Sequence, residues 1–419
     1  MKKILVVFAL FFVFAIAYNV YAETQTILVS GSLRTRGYYV DNLTDLNDEG
    51  SGVVTTVADD GTVTTTYIQD DDQNFIQNLV DLYVNATLTD SVYARINFQA
   101  WGTFGQDDSW GAYLQEAWIK LANIADSSWS ATVGSFYVNL GRGFLFSSRD
   151  KYHIFDGIMA EGDVSNSFMV KGGMLRIDDE GKDDRDIYLV DAEYAPAEAA
   201  FALGGTFAIQ MDGPTDYQPA VIAGRASYKA TEAITLFGEL AYEFGDSYGG
   251  LDKKAWAVEV GGHYKMDVQW TPTLRAMYAY ATGDDDPLDD EDGDYDPWYN
   301  YNYYGYAFSP ALSNIQIINI GVDLQPTEFT KLFADYFYYL QTEKRAMSMG
   351  NLNLDNPGVT ALTNGLDDQL GSEVDLGVVH TYTDSVTTSL IFSYFFPGDA
   401  YGNNADDALE IRGEILVSF

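Results

Sequence analysis

The segment from Asp407 to Phe419 reads DALEIRGEILVSF. Leu409, Ile411, Gly413, Ile415, Val417 and Phe419 fall on one side of an extended chain. Glu410, Arg412, Glu414, Leu416 and Ser418 fall on the other. Side chains of a strand alternate between its two faces, so this is strict period two with an apolar face against a charged one. A wall that separates lipid from water needs a strand of that kind. The rest of the chain is read outward from it.

The N-terminus carries a basic start (Lys2, Lys3), an apolar run from Ile4 to Ala17, and the small-residue site Val20-Tyr21-Ala22. This pattern predicts a cleaved signal peptide over 1–22 rather than an anchor, leaving a single domain over 23–419. Loss of Lys2 and Lys3 takes the formal charge from -39 to -39 - 2 = -41. So acidic a chain excludes nucleic acid as a partner, because that binding draws on Lys and Arg to neutralise phosphates. There is no cysteine, hence no disulfide framework and no thiolate metal site. Beyond the signal no run of 18 apolar residues occurs, yet the chain holds 31 Tyr and 24 Phe. Aromatics without helical spans fit the girdles of a membrane barrel.

Period two continues along the chain. Strands are expected near 26–41, 75–88, 92–99, 116–121, 130–140, 156–163, 167–177, 186–195 and 199–211. More follow near 221–230, 234–245, 254–266, 272–282, 314–325, 331–341, 372–382, 386–396 and 408–419. Short turns such as Thr89-Asp90-Ser91 alternate with long polar connections at 43–72, 141–155, 283–313, 342–371 and 397–407. This predicts an all-β, transmembrane, antiparallel up-and-down barrel of about 18 strands. Closure lets a sheet cross a bilayer without unpaired backbone at an edge. An even strand number places both termini on the periplasmic side. The rivals, a soluble β-helix or sandwich, lack support from a fixed repeat length or from the loop asymmetry.

The phasing turns ionisable side chains inward. The inward cations are Arg34, Arg36, Arg95, Lys120, Arg225, Lys229, Arg275 and Arg412. The inward anions include Asp81, Glu116, Asp191, Glu193, Glu239, Glu243, Glu259, Asp323, Asp335, Glu373, Asp375, Glu410 and Glu414. Such charges line a pore and select solutes by sign, or pair across strands and brace a polar lumen. Closure of the first strand on the last would bring Arg34 and Arg36 close to Glu410, Arg412 and Glu414. The stretch 141–155, with Gly141, Arg142, Gly143, Arg149 and Lys151, is the candidate for an inward-folded constriction loop.

Residues 284–294 read DDDPLDDEDGD, and Tyr295 to Tyr306 read YDPWYNYNYYGY. Asp284, Asp285, Asp286, Asp289, Asp290 and Asp292 form a candidate loop cation site. The calcium-loop pattern fails there, since Leu288 sits where an Asp of D-x-D-x-D-G belongs. A solvated charge run is the simpler reading, with divalent ions bridging lipopolysaccharide as the functional one. The aromatic tract would serve as a sugar-stacking platform or lie at the membrane interface. Catalysis is not indicated: His153, His263 and His380 lie on separate segments, and no G-x-S-x-G or H-E-x-x-H spacing occurs. No cofactor is expected.

The final strand, ending on Phe419, resembles the closing strand of bacterial outer-membrane barrels, which implies recognition by the barrel-assembly machinery. Three internal segments resemble the alginate-export family of porin-like outer-membrane barrels. They are VGSFYVNLGRGF (Val133 to Phe144) followed by Phe155-Asp156-Gly157, YAYATGD (Tyr278 to Asp284), and GSEVDL (Gly371 to Leu376) followed by Pro397-Gly398. Their order covers most of 130–400. The resemblance implies an eighteen-stranded barrel in the outer membrane of a Gram-negative bacterium, acting as a channel. The family's arginine-lined pore would map onto Arg34, Arg36, Arg95, Arg142 and Arg275. A polyanion conduit should be strongly cationic, and here inward anions outnumber cations, so alginate itself is not carried over. The expected function is passive passage of hydrophilic solutes, with lipid, lipopolysaccharide and a second copy of the chain as candidate partners. The alternative is a non-conducting barrel, either a scaffold for a surface or electron-transfer complex or an adhesin.

Overall fold

A computed structural model describes residues 26–43, 46, 53–57, 63–67, 73–105, 111–147, 154–178, 185–212, 217–300, 304–349, 359–403 and 405–419. The expected signal peptide, Arg149, Lys151 and His153 lie outside the described residues.

Alternation of branched or aromatic residues with polar ones gives β1 (Thr26–Asp41), β2 (Gln73–Thr89), β3 (Val92–Thr103), β4 (Gly111–Leu121), β5 (Ser130–Phe136) and β6 (Phe155–Ser165). The chain continues through β7 (Phe168–Asp178), β8 (Arg185–Tyr194), β9 (Phe201–Asp212), β10 (Gln218–Lys229), β11 (Ile234–Asp246) and β12 (Asp252–Lys265). It ends with β13 (Thr273–Ala281), β14 (Ile315–Thr327), β15 (Thr330–Gln341), β16 (Gln369–Thr383), β17 (Val386–Pro397) and β18 (Ala408–Ser418). Each of these eighteen pairs antiparallel with its sequence neighbour, and β1 pairs with β18, placing Arg36 opposite Glu414 and Tyr38 opposite Arg412. The sheet is thus a closed barrel. A two-residue segment, Glu291–Asp292, adds in parallel beside the start of β12. A small hairpin, Val53–Val57 with Val63–Tyr67, forms a separate two-stranded sheet.

The expected strands all appear, with shifts at their ends. β4 starts at Gly111 instead of near 116, and β5 stops at Phe136 instead of continuing to 140. The turns at one end are tight, including 90–91, 166–167, 328–329 and 384–385. The long connections 42–72, 137–154, 282–314 and 342–368 all leave the other end.

Burial fixes which face looks where. Outward residues Leu33, Phe98, Val190, Ile222, Leu240, Ile320 and Leu390 are exposed although apolar, while inward Asp81, Glu116, Asp191, Glu239, Asp375 and Glu410 are buried although charged. A continuous apolar exterior with charges inside is stable only where lipid replaces water outside. Exposed aromatics mark both rims of that belt. Trp129, Tyr194, Phe201, Tyr228, Tyr264, Trp270, Phe329 and Tyr382 lie near the turns. Tyr242, Phe244, Trp256 and Phe396 lie near the loops, with Trp256 stacked on the half-buried Tyr280 at 4.6 Å. Such girdles sit at membrane interfaces because an aromatic ring is apolar in body and polar at its edge. The chain end completes the closing pair: Gly31 donates its N–H to the Phe419 carbonyl at 2.8 Å, and Phe419 donates back at 3.0 Å.

Candidate functional site

The lumen is the candidate site, and its wall is a ring of ion pairs. Arg36 pairs with Glu414 across the closure and reaches Tyr38 Oη at 3.4 Å. Arg95 donates to Asn85 at 2.7 Å, lies 3.7 Å from Glu116, and sits over the rings of Tyr83 and Trp118. Lys120 bonds Glu161 at 2.6 Å. Arg225 makes a two-pronged contact with Asp191 at 2.6 and 3.0 Å and reaches Glu193 at 3.5 Å. Arg275 bridges Asp323 at 3.1 Å and Asp335 at 2.8 Å. Arg412 lies 3.9 Å from Glu410 and over the Tyr306 ring at 4.7 Å. Arg34 lines the lumen beside Arg36 and Asp81. A carboxylate facing each of Arg36, Arg95, Arg225, Arg275 and Arg412 offsets the cost of holding it away from bulk water.

Two loops fold into this charged tube. After β5 the chain turns inward, burying Val138, Leu140, Phe144, Leu145 and Phe146. Gly141 and Gly143 take φ of 54° and 84°, the left-handed region glycine enters without steric cost. Between them Arg142 projects into the lumen, 3.7 Å from Glu259, with its guanidinium 3.4 Å above the Phe237 ring.

The second inward loop corrects an expectation. The described parts of this tract, 295–300 and 304–306, form neither an outer stacking platform nor part of the girdle. Tyr295, Tyr299, Tyr304, Ala307, Phe308 and Leu312 are buried inside the barrel mouth. The loop leaves and rejoins the wall at Thr282, whose carbonyl accepts from Tyr295 and Asn314, each at 3.1 Å. Inward carboxylates hold it. Glu373 accepts the backbone N–H groups of Tyr306, Ala307 and Phe308 at 2.6, 3.0 and 2.8 Å. Glu243 accepts from the Asp296 N–H at 2.9 Å and the Trp298 indole at 2.5 Å. Glu259 accepts from Tyr304 Oη at 3.1 Å, and Tyr339 Oη donates to the Tyr304 carbonyl at 2.6 Å. Phe308 stacks on Phe395 at 4.7 Å and meets Tyr339 edge-on at 4.8 Å. The two loops then join: Tyr299 donates to the Leu145 carbonyl at 2.9 Å, Ser147 donates to the Tyr299 carbonyl at 3.0 Å, and the Phe146 and Tyr299 rings stack at 5.5 Å.

The acidic run is a folded loop root. Asp284, Asp286, Asp289 and Asp292 accept the N–H two residues on, the Asx-turn pattern, at 2.8–3.3 Å. Arg345 bridges Asp284 at 3.6 Å and Asp294 at 2.5 Å, while Asp292 bonds Lys253 at 3.2 Å. Asp285 and Asp290 take no side-chain role in these contacts. Among the described residues no three His, Asp or Glu side chains converge as a metal ion would require.

Arg142, Arg275 and Asp375 thus border one cavity beside the inward loop, and Glu373 and Arg412 meet Tyr306 of that loop. Arg34, Arg36, Arg95 and Lys120 belong to β1, β3 and β4, and Arg225 is locked to Asp191 beside Gly141. Sequence reading singled out the tract that holds Tyr304 and Tyr306 but not its inward course, and it missed Phe308 and the anchoring role of Glu243, Glu259 and Glu373. The signal available was a dense aromatic tract beside a surplus of inward carboxylates, since buried acids need donors.

A model of the family described as Alginate export matches residues 108–414. A search of curated proteins gave no match. Among solved structures the barrel is similar to OpdK of Pseudomonas aeruginosa with vanillate, at 10% identity over 93% of this chain and 98% of that chain, TM-score 0.61. It is similar to OccAB4 of Acinetobacter baumannii at 11% identity over 94% and 99%, TM-score 0.58. It is also similar to OccD3 (OpdP) of Pseudomonas aeruginosa at 13% identity over 96% and 92%, TM-score 0.56. These likenesses concern the barrel fold, and they extend over nearly the whole chain. With the family match over most of its length, the chain belongs to the alginate export family of outer-membrane β-barrels.

Proposed function

We propose that the protein is a passive outer-membrane channel for small or oligomeric hydrophilic solutes, integral to the membrane with both termini periplasmic. The observation that carries this is a closed barrel, apolar outside and charged inside, narrowed by two loops that its own lumenal carboxylates hold in place. Loops folded into a lumen are how a barrel sets pore size, and charged rings set ion preference.

Carboxylates exceed cations in the lumen, and each cation at the constriction already faces one. A polyanion such as alginate would meet paired arginines and surplus acid. The channel therefore favours cations and neutral solutes. The alternative reading is a non-conducting scaffold or adhesin, and the packing of Phe308 between Tyr339 and Phe395 supports it as far as loops that fill a mouth can seal it. No chemistry of bond making or breaking is assigned to the lumen.

Single-channel recording of the refolded protein in a planar bilayer, with a salt gradient, tests the proposal. Steady conductance with a reversal potential of cation-selective sign is the expected result. Silence from a correctly folded barrel moves the reading to the scaffold, and anion selectivity returns the arginines to a polyanion role.

A further inference from the structure

Where the two loops meet the wall they leave a cavity of about 390 Å³. That lies within the usual range for small-molecule sites, about 300–1,000 Å³. Arg142 and Tyr304–Tyr306 bound it on the loop side. Phe237, Glu259, His263, Arg275, Asn319, Asp335, Phe337 and Asp375 bound it on the side of β11 to β16. Apolar ring surface, guanidinium donors and carboxylate acceptors therefore alternate around one space.

The charge state of that wall decides what suits it. Arg275 already holds Asp323 and Asp335, and Arg142 faces Glu259. Asp375 accepts from Ser393. An anionic solute must compete with these carboxylates for the arginines. A cation must sit beside two guanidinium groups and the His263 ring. A hydroxyl both donates and accepts, so a neutral polyol can satisfy acids and arginines in turn without carrying charge into the site. Its C–H faces can lie against Phe237, Phe337 and Tyr306, as apolar surface against ring. Arg142 is the adjustable member: its side chain is 45% exposed and hangs from a loop between two glycines with positive φ.

We propose that this cavity is a binding site for a neutral, polyhydroxylated solute of monosaccharide to disaccharide size. The site deepens the channel reading and rests on it for delivery of the solute.

Titration calorimetry of the detergent-folded barrel tests the site independently of conduction. Cellobiose is the neutral probe, dimannuronate the anionic one, and glycerol the control for non-specific heat. Saturable binding of cellobiose, tighter than dimannuronate, is expected. Asp335→Asn should weaken it at least tenfold. Arg142→Gln provides the second variant if Asp335→Asn folds poorly, and should weaken it similarly. Tighter binding of dimannuronate overturns the proposal. So does the absence of saturable heat from either sugar, whatever the conductance. Sugar binding by a barrel that does not conduct sustains the site and removes the channel reading. Conduction without sugar binding does the reverse.

Discussion

At the residue scale, Glu373 carries the most concentrated load. Three backbone N–H groups of the inward loop converge on one carboxylate. Hydrogen bonds to a charged group contribute about 1.5–3 kcal/mol each, and neutralising their acceptor weakens all three together. Glu373→Gln is expected to keep the barrel folded but loosen the loop, seen as larger open-channel noise and faster proteolysis near Tyr306. Noise equal to that of the natural protein would show the loop to be held elsewhere. Asp296 adds a pH dependence to the same loop. Burial pushes its carboxyl up from its ordinary 3.8, the Trp298 N–H and Lys253 oppose that, and Asp292 adds to it. The seated loop therefore favours the neutral form. No penalty exists below the ordinary value, and the full penalty applies above the raised one, so seating weakens as pH rises through that window. Current noise should be lower at about pH 4 than at about pH 7, and Asp296→Asn should shrink the difference. An unchanged pH response in that variant would remove Asp296 from the account.

At the scale of elements, two features make different demands. The inward loop needs a backbone that passes against the wall. Gly305 has φ of 111°, and a Cβ there would come within 2.4 Å of Tyr339 Oη and 2.8 Å of the Glu373 carboxylate. Gly305→Val is expected to unseat the loop and raise conductance, with the thermal stability of the barrel little changed. Conductance at the natural level would mean that the loop does not limit the path. The strands demand phasing. Leu240 of β11 is 52% exposed on the outer face, opposite Val258. Leu240→Arg should cost about 2–4 kcal/mol in lipid near mid-membrane, and far less toward either rim. Its inward neighbour Glu239 should tolerate Gln with little loss. Comparable losses in urea-unfolding titrations from lipid vesicles would refute the assignment of faces.

At the scale of the whole molecule, the excess of acid over base is distributed with purpose. Arg36, Arg95, Lys120, Arg225 and Arg275 each face a carboxylate, the loop root carries its own Arg345 and Lys253, and Glu243 and Glu373 hold the inward loop. The three segments that resembled the family by sequence meet at one place. The glycine-arginine stretch forms the first inward loop, YAYATGD leads into the root of the second, and GSEVDL supplies Glu373, which anchors it. Cation preference should fall as salt rises, because exposed charges are screened over about 8 Å at physiological ionic strength. A selectivity ratio that does not change with salt would place the selecting charges out of reach of mobile ions.

The sequence by itself determined the barrel. Period two is a local property, each strand carries it independently, and eighteen repetitions of an apolar face against a charged face leave a closed sheet in lipid as the consistent solution. Closure was expected to bring Arg34 and Arg36 close to Glu410, Arg412 and Glu414, and the structure pairs Arg36 with Glu414. Only the tertiary structure decided what fills the lumen. Tyr295–Phe308 has no period that says inward, since the same rings would suit a membrane interface or a sugar surface. Its direction follows from partners distant in the chain, Glu243, Glu259, Tyr339, Glu373 and Phe395, which only closure of the barrel brings within reach. Buried acids need donors and a buried loop needs acceptors, and neither requirement can be read until both occupy the same space.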